Sequence, residues 1–190
     1  MLSIFKQFDW VDLFFLVVLF RICYVSMSVG LVPEFFKFLG TILAIYVSLH
    51  YYSALSEMAA GSFVPNGIPI KLLSFVCLIL LAWLGYLIFY FLRLVFLKFI
   101  KAEAADKLHT WGGLILGVVR GIIFVGFLSY VFAVAPINYF RLSVRESYFG
   151  QRLYKLAPGA YRGLWYGIAS KFMTYDKYNS NVEDVDKNFK

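Results

Sequence analysis

The chain has 190 residues, of which 62% are hydrophobic and 21% aromatic, while only 15% are charged. A soluble globular chain is roughly 45–50% apolar and about 25% charged. A soluble chain this short would have more apolar side chain than its interior could hide. The composition therefore excludes an ordinary soluble domain, and it excludes disorder, which requires low hydrophobicity. It predicts one integral membrane domain.

The charge balance is basic, with 18 Lys and Arg residues against 11 Asp and Glu residues and a formal net charge of +7. Basic residues beside membrane spans set topology and contact anionic lipid headgroups. No recognisable nucleic-acid module accompanies the charge, so we expect membrane lipid and no nucleic acid among the partners.

Four apolar stretches are long enough to cross a bilayer, whose hydrocarbon core of roughly 30 Å needs about 20 helical residues. Unpaired backbone groups facing lipid are too costly for open sheet, so the spans must be helical. The sequence predicts an all-α fold with four transmembrane helices in a membrane domain of residues 1–135. The predicted spans cover residues 13–32, 36–55, 72–96 and 112–135.

The chain changes character after the fourth span. Residues 136–177 mix Arg and Lys with Tyr, Phe, Trp and Leu, which predicts an amphipathic helical segment. Such a segment either lies in the headgroup layer or packs on the protein itself. Residues 178–190 are polar, and we expect them to be a frayed, disordered tail. The distribution of basic residues near the spans slightly favours both termini in the cytoplasm.

Three of the charged residues within or at the edge of the predicted spans stand out as candidates: Arg21, Glu34 and Arg120. A charge at a helix centre costs roughly 2.5–3.5 kcal/mol on the insertion scale, so each is a functional candidate. One reading pairs Glu34 with Arg120 across two helices. The other has both residues near the headgroups without mutual contact, and for Arg21 we favour such snorkelling.

Three glycines recur every four residues on one face of the fourth span: Gly113, Gly117 and Gly121. Small residues at this spacing let two helix backbones approach closely in lipid, so they predict a helix-packing face. The pattern leaves open whether the partner helix belongs to the same chain. Trp10 and Trp111 stand before the first and fourth spans and are predicted interfacial anchors.

No motif for a catalytic or metal-binding site occurs in the sequence. H-E-x-x-H, G-x-S-x-G and glycine-rich phosphate loops are missing, and no Cys or His spacing suggests a metal site. His50 stands beside two tyrosines and is interpreted as a structural or interfacial residue. We expect no catalytic residue, no metal and no cofactor.

Four short motifs occur in order along the chain: Trp10-Val11-Asp12, Gly30-x-Val32-x-Glu34, His50-Tyr51-Tyr52-Ser53-x-Leu55-Ser56 and Gly113-x-x-x-Gly117-x-x-Arg120-Gly121. In these motifs the sequence resembles the colicin V production protein (CvpA) family over roughly residues 9–135. It departs from the family pattern at Pro33, where a basic residue is usual, and at His109-Thr110, where Asp-Arg is usual.

The resemblance implies a four-span protein of the bacterial inner membrane, needed for colicin V production or export and linked to envelope physiology. It implies no established enzymatic activity and no known cofactor. The leading hypothesis is a non-enzymatic protein that acts through membrane protein partners or as a homo-oligomer.

The alternative function is a small transporter or channel in which Arg21, Glu34 and Arg120 line a polar path. A third hypothesis, an intramembrane enzyme using Asp12 or Glu34, lacks a second catalytic group.

Overall fold

Four long helices occupy most of the first 134 residues. The computed structural model describes residues 8–62, 69–99, 106–173 and 175–189. Each long helix contains a stretch with the length and composition to cross a membrane, so the predicted all-α fold with four candidate spans is confirmed. The helices are α1 (Trp10–Val29), α2 (Leu31–Ser62), α3 (Ile70–Phe99) and α4 (Asp106–Val134).

A one-residue turn at Gly30 joins α1 to α2. Gly30 has φ of 83°, the one positive φ among the described residues, and a side chain there would be strained. The turn therefore falls earlier than the predicted boundary between residues 32 and 36. Pro33 lies in the first turn of α2, where a helix needs no N–H donor.

The long helices pack in the order α3, α2, α4, α1 rather than as a closed ring. α2 packs on both α3 and α4, whereas α1 packs mainly on α4. The outer faces of α1 and α3 carry large exposed apolar residues, including Phe20 and Tyr24 on α1 and Trp83 and Ile88 on α3. These faces are suited to lipid contact.

The glycine face of α4 packs against α1 of the same chain. A Cβ at Gly113 would lie 2.7 Å from the Ser26 carbonyl oxygen, and one at Gly121 would lie 2.6 Å from a Leu19 methyl group. A Cβ at Gly117 would overlap the Ser26 side chain. Only hydrogen fits at these contacts, which is how the small-residue spacing brings the two backbones together.

The region after α4 forms shorter helices at one end of the long ones. They are α5 (Asn138–Glu146), α6 (Gly150–Leu153), α7 (Leu156–Leu164) and α8 (Asn181–Phe189). After Leu164, α7 continues as a π-helical segment (Trp165–Ala169) and a final turn (Ser170–Phe172).

One side of this region packs on the long helices. Ala157, Tyr161 and Val182 share a buried cluster with Leu49 of α2 and Tyr130 of α4.

The other side of the region is open, and its exposed aromatic and aliphatic residues include Tyr139, Leu142, Tyr166 and Phe172. The segment thus packs on the protein and also presents an apolar surface suited to the headgroup layer.

The end of the chain differs from the frayed tail expected from its polar composition. Residues 181–189 form α8, and Val182 is fully buried. Val185 is partly buried on the same side, one helical turn further on. Two apolar residues at helical spacing are enough to dock a short helix on an existing core, and the average composition of the tail hides this pattern.

Replacing Gly117 by Ala tests the contact between α1 and α4. The added Cβ collides with Ser26, so we expect the free energy of unfolding in detergent to fall by about 1–3 kcal/mol. Gly163→Ala is the matched control, because a Cβ there meets no atom within 4 Å. The variant pair Ser26→Gly with Gly117→Ala should regain part of the loss, and equal stability of Gly117→Ala and the control would contradict the contact.

Candidate functional site

A fully buried carboxylate connects α2 to two cations. Glu34 Oε1 lies 2.5 Å from Arg120 Nε of α4, and Glu34 Oε2 lies 3.1 Å from Lys37 Nζ, one turn further along α2. Glu34 has no exposed surface and Arg120 is 8% exposed. Of the two interpretations left open by the sequence, the structure therefore has the one in which Glu34 pairs with Arg120. Lys37 is a third member of this charge cluster, which the sequence did not predict.

The local structure explains how Glu34 and Arg120 meet. Glu34 lies in the first turn of α2, where the partial positive charge of the helix N-terminus favours a carboxylate. Arg120 lies one turn after Gly117, and a Cβ at Gly117 would stand 3.6 Å from Glu34 Oε1. The glycine face therefore holds α4 close to α1 and also leaves room for the carboxylate beside α4.

Mutual compensation makes these charges tolerable inside the bundle. An isolated charge buried without a partner is strongly unfavourable, whereas a hydrogen-bonded pair is not. Both oxygens of Glu34 are occupied, one by each cation. The trio of Glu34, Lys37 and Arg120 carries a net charge of +1.

Arg120 also lines a cavity of about 400 Å³. The cavity lies between α3 and α4, and α2 forms its third wall. It is present because the row of helices leaves α3 and α4 largely apart. Its walls are mostly apolar, with Ala44 and Phe127 among them, and Thr41 adds a hydroxyl. The arrangement offers one guanidinium at the edge of an apolar groove.

The structure does not bring Arg21 to this charge cluster. Arg21 is exposed on α1, and within the described part of the chain its side chain has no hydrogen-bond or ion-pair partner. It does not line the cavity beside Arg120 either. The three charges proposed for a polar path are therefore divided between an outer face and the interior.

The two tryptophans predicted as interfacial anchors lie at opposite ends of the paired helices α1 and α4. Trp10 begins α1, stacks on Tyr139 with 5.9 Å between ring centroids, and donates its indole N–H to Ser143 Oγ. Trp111 is 64% exposed near the Gly30 end. The 20 residues of α1 span about 30 Å, the thickness of a hydrocarbon core, so the placement suits both predicted anchors.

Asp12 has an anchoring role that the sequence analysis missed. Its buried carboxylate accepts hydrogen bonds from the backbone N–H groups of Tyr148 and Phe149, at 3.0 and 2.8 Å, and from that of Asp9. The first two donors lie just before α6. One carboxylate thus completes the start of α1 and ties the C-terminal region to it.

His50 is the centre of a second polar cluster, where α2 meets the C-terminal region. Its Nδ1 lies 2.9 Å from the Tyr161 hydroxyl, which also accepts the N–H of Asn179. Trp165 stacks on the imidazole, and Asp176 Oδ2 lies 3.7 Å from Nε2. These hydrogen bonds are all satisfied when the Tyr161 hydroxyl donates to His50 Nδ1. The ring proton of His50 then lies on Nε2 and faces Asp176.

Burial raises the pKa of the Tyr161 hydroxyl well above its usual value, so this group stays protonated and able to donate. Burial likewise raises the pKa of Tyr178, which stacks on Tyr161. The cluster around His50 therefore acts as a structural connection between helices distant in the sequence.

The described residues contain no group of three His, Cys, Asp or Glu side chains arranged to hold a metal ion. Cys23 and Cys77 are both free thiols.

The sequence model of the colicin V production protein family matches residues 11–158, well over half of the chain. The chain belongs to the colicin V production protein family. With its four candidate spans, this colicin V production family member is a multi-pass membrane protein of a bacterial family. The match includes Asp12, Glu34, His50 and Arg120, and it ends before Tyr161. No curated protein and no solved structure matches the chain.

Neutralising Glu34 and Arg120 separately should have unequal effects. Glu34→Gln leaves both Lys37 and Arg120 without a carboxylate, whereas Arg120→Gln leaves Glu34 paired with Lys37. Breaking a buried pair costs about 3–5 kcal/mol. We expect the loss in free energy of unfolding to lie at the upper end of this range for Glu34→Gln and at or below its lower end for Arg120→Gln. Thermal unfolding in lipid nanodiscs measures the order.

Glu57→Gln is the matched control, since Glu57 is an exposed carboxylate on the same helix. The double variant of Glu34 and Arg120 should be less destabilised than the two single losses added together. Strictly additive losses would mean that the two side chains do not interact.

Asp12→Asn should loosen the C-terminal region. Hydrogen bonds to a charged acceptor contribute about 1.5–3 kcal/mol, so the backbone N–H groups of Tyr148 and Phe149 should exchange with solvent at least about tenfold faster in the variant. Hydrogen exchange read by mass spectrometry measures this. Asp9→Asn removes a carboxylate that bonds only within the start of α1, and exchange at Tyr148 should stay unchanged in it.

Proposed function

We propose that this protein is a non-enzymatic component of the bacterial inner membrane that supports colicin V production and secretion, or envelope maintenance, by binding membrane protein partners. Membership of the colicin V production family supports the proposed role in colicin V production. The basic residues near the spans favour an orientation with both termini in the cytoplasm.

The observation that carries the proposal is the open row of helices. α3 packs on α2 and has little contact with α4, so most of its surface faces away from the chain. Exposed apolar residues continue along that surface, including Leu84, Ile88 and Phe91. A helix held on one side only presents a long face to another membrane helix as well as to lipid.

The distribution of charge supports partner binding over catalysis. Glu34 is occupied by two cations, and Asp12 is occupied by backbone N–H groups. Neither carboxylate is available as a general acid or base in this arrangement, because each is fully buried and hydrogen-bonded within the chain.

Transport is the second candidate, favoured by the cavity that Arg120 lines. A polar path in a channel or transporter needs a continuous series of polar groups across the membrane. Arg21 does not line this cavity, and the walls beyond Arg120 are mostly apolar. A single copy of the chain therefore offers less support for this function than for partner binding.

Purified protein in liposomes distinguishes the two functions. We expect no flux of K⁺, Cl⁻ or protons above that of empty liposomes, because the walls of the cavity beside Arg120 are mostly apolar. Flux that disappears in an Arg120→Ala variant would contradict the proposal and establish transport.

Truncating side chains on the open face of α3 should impair function without unfolding the protein. Truncating a central aromatic residue at an interface costs about 2 kcal/mol or more, so we expect Ile88→Ala with Phe91→Ala to lower colicin V release severalfold. The assay is complementation of a colicin V-producing strain that lacks its own family member. Phe20→Ala with Tyr24→Ala, on the exposed face of α1, is the matched control, and equal losses in both pairs would argue against a specific face.

A further inference from the structure

A second group of cations lies where α2 begins and α3 ends. Lys37 is six residues after Leu31, the first residue of α2, and Arg93 is six residues before Phe99, the last residue of α3. At 1.5 Å per residue both side chains start about 9 Å from the same end of the antiparallel pair. Together with Tyr86 they line one cavity of about 10 Å³, so a group larger than a water molecule would bind at its mouth. Both residues are partly exposed.

The described residues around this cavity supply too little negative charge. Glu34 is the carboxylate that Lys37 contacts, and Arg120 shares it. Arg93 stands over the ring of Tyr90, 5.6 Å from its centroid, but its buried Nε has no hydrogen-bond partner within the described residues. A buried donor without a partner is unfavourable. The Nε–H of Arg93 is therefore a donor that an anion at the mouth of this cavity would satisfy.

The small cavity adjoins the apolar groove between α3 and α4. Tyr86 lines both spaces, and Thr41 and Ala44 place the groove one to two turns deeper along α2 than Lys37. The volume of about 400 Å³ falls within the range of small-molecule sites, roughly 300–1,000 Å³. Cations near the helix ends and an apolar groove deeper in the span match the polarity of a phospholipid lying in its own leaflet.

We propose that this groove binds one anionic phospholipid, with its phosphate at Lys37 and Arg93 and an acyl chain running past Tyr86 into the space beside Ala44. A phosphate oxygen would accept the Nε–H of Arg93 in a charge-assisted hydrogen bond. The acyl chain would cover apolar walls that the row of helices leaves open. A bound lipid would then be part of the surface that α3 presents to partners.

Lipid titration of the full chain in micelles of zwitterionic detergent tests this proposal. Native mass spectrometry should detect one phosphatidylglycerol bound more tightly than phosphatidylcholine. Arg93→Gln should weaken phosphatidylglycerol binding about fivefold, which corresponds to roughly 1 kcal/mol per basic residue near lipid phosphates. Lys37→Arg keeps the charge and should retain binding.

Two further variants separate the headgroup contact from the acyl-chain contact. Ala82→Trp fills the groove, so it should weaken binding of phosphatidylglycerol while leaving Arg93 in place. Arg21→Gln is the matched control, because it removes an exposed cation of α1 outside the groove. Circular dichroism and thermal unfolding show whether each variant is folded.

Four results would overturn the proposal: equal binding of phosphatidylglycerol and phosphatidylcholine, equal weakening by Arg21→Gln and Arg93→Gln, full binding by a folded Ala82→Trp variant, or displacement of the lipid by inorganic phosphate at equal concentration. The last result would indicate a phosphate site without an acyl-chain contact. None of these results depends on colicin V release, so lipid binding and the proposed function are tested separately.

Discussion

The buried carboxylate of Glu34 is the constraint on which the membrane domain depends. Once Glu34 enters the apolar interior in the first turn of α2, it needs a cation, and Arg120 of α4 supplies one at 2.5 Å. Arg120 has the same need, because it is almost fully buried. This mutual requirement fixes the position of α2 along the axis of α4. Gly117 permits the close approach because it presents no side chain towards Glu34 and Ser26.

Polar contacts stabilise both ends of the spans, while apolar packing connects them. At the Gly30 end the contacts are ionic and involve Glu34. At the other end Asp12 holds backbone N–H groups of the C-terminal region, and His50 binds Tyr161. Polar groups away from water must find partners within the protein, so these contacts specify which helices meet. The same row leaves α3 bound on one side only, so the groove proposed for a lipid and the face proposed for a partner both lie along it.

The sequence predicts what depends on length and spacing. Four spans follow from bilayer thickness. The spacing of Gly113, Gly117 and Gly121 indicates close helix packing, but small residues do not identify the partner helix. Pairing of Glu34 with Arg120 was one of two open readings, because depth in the membrane cannot be counted accurately along a sequence. Asp12 was noted as a carboxylate, yet its partners are backbone N–H groups, which any residue type provides. His50 and Tyr161 are 111 positions apart and share no motif.

A distance measurement between Glu34 and Arg120 in lipid tests the central claim most directly. Rotational-echo solid-state NMR on protein labelled with ¹⁵N at arginine and ¹³C at the glutamate carboxylates reports whether the two groups touch. Part of the dephasing should disappear on Arg120→Lys, as a 2.5 Å contact between Nε and Oε1 requires. The part that comes from the ion pair of Arg162 with Glu183 should remain. Dephasing that is unchanged by Arg120→Lys would show that Glu34 and Arg120 are apart, and the account of how α2 meets α4 would be wrong.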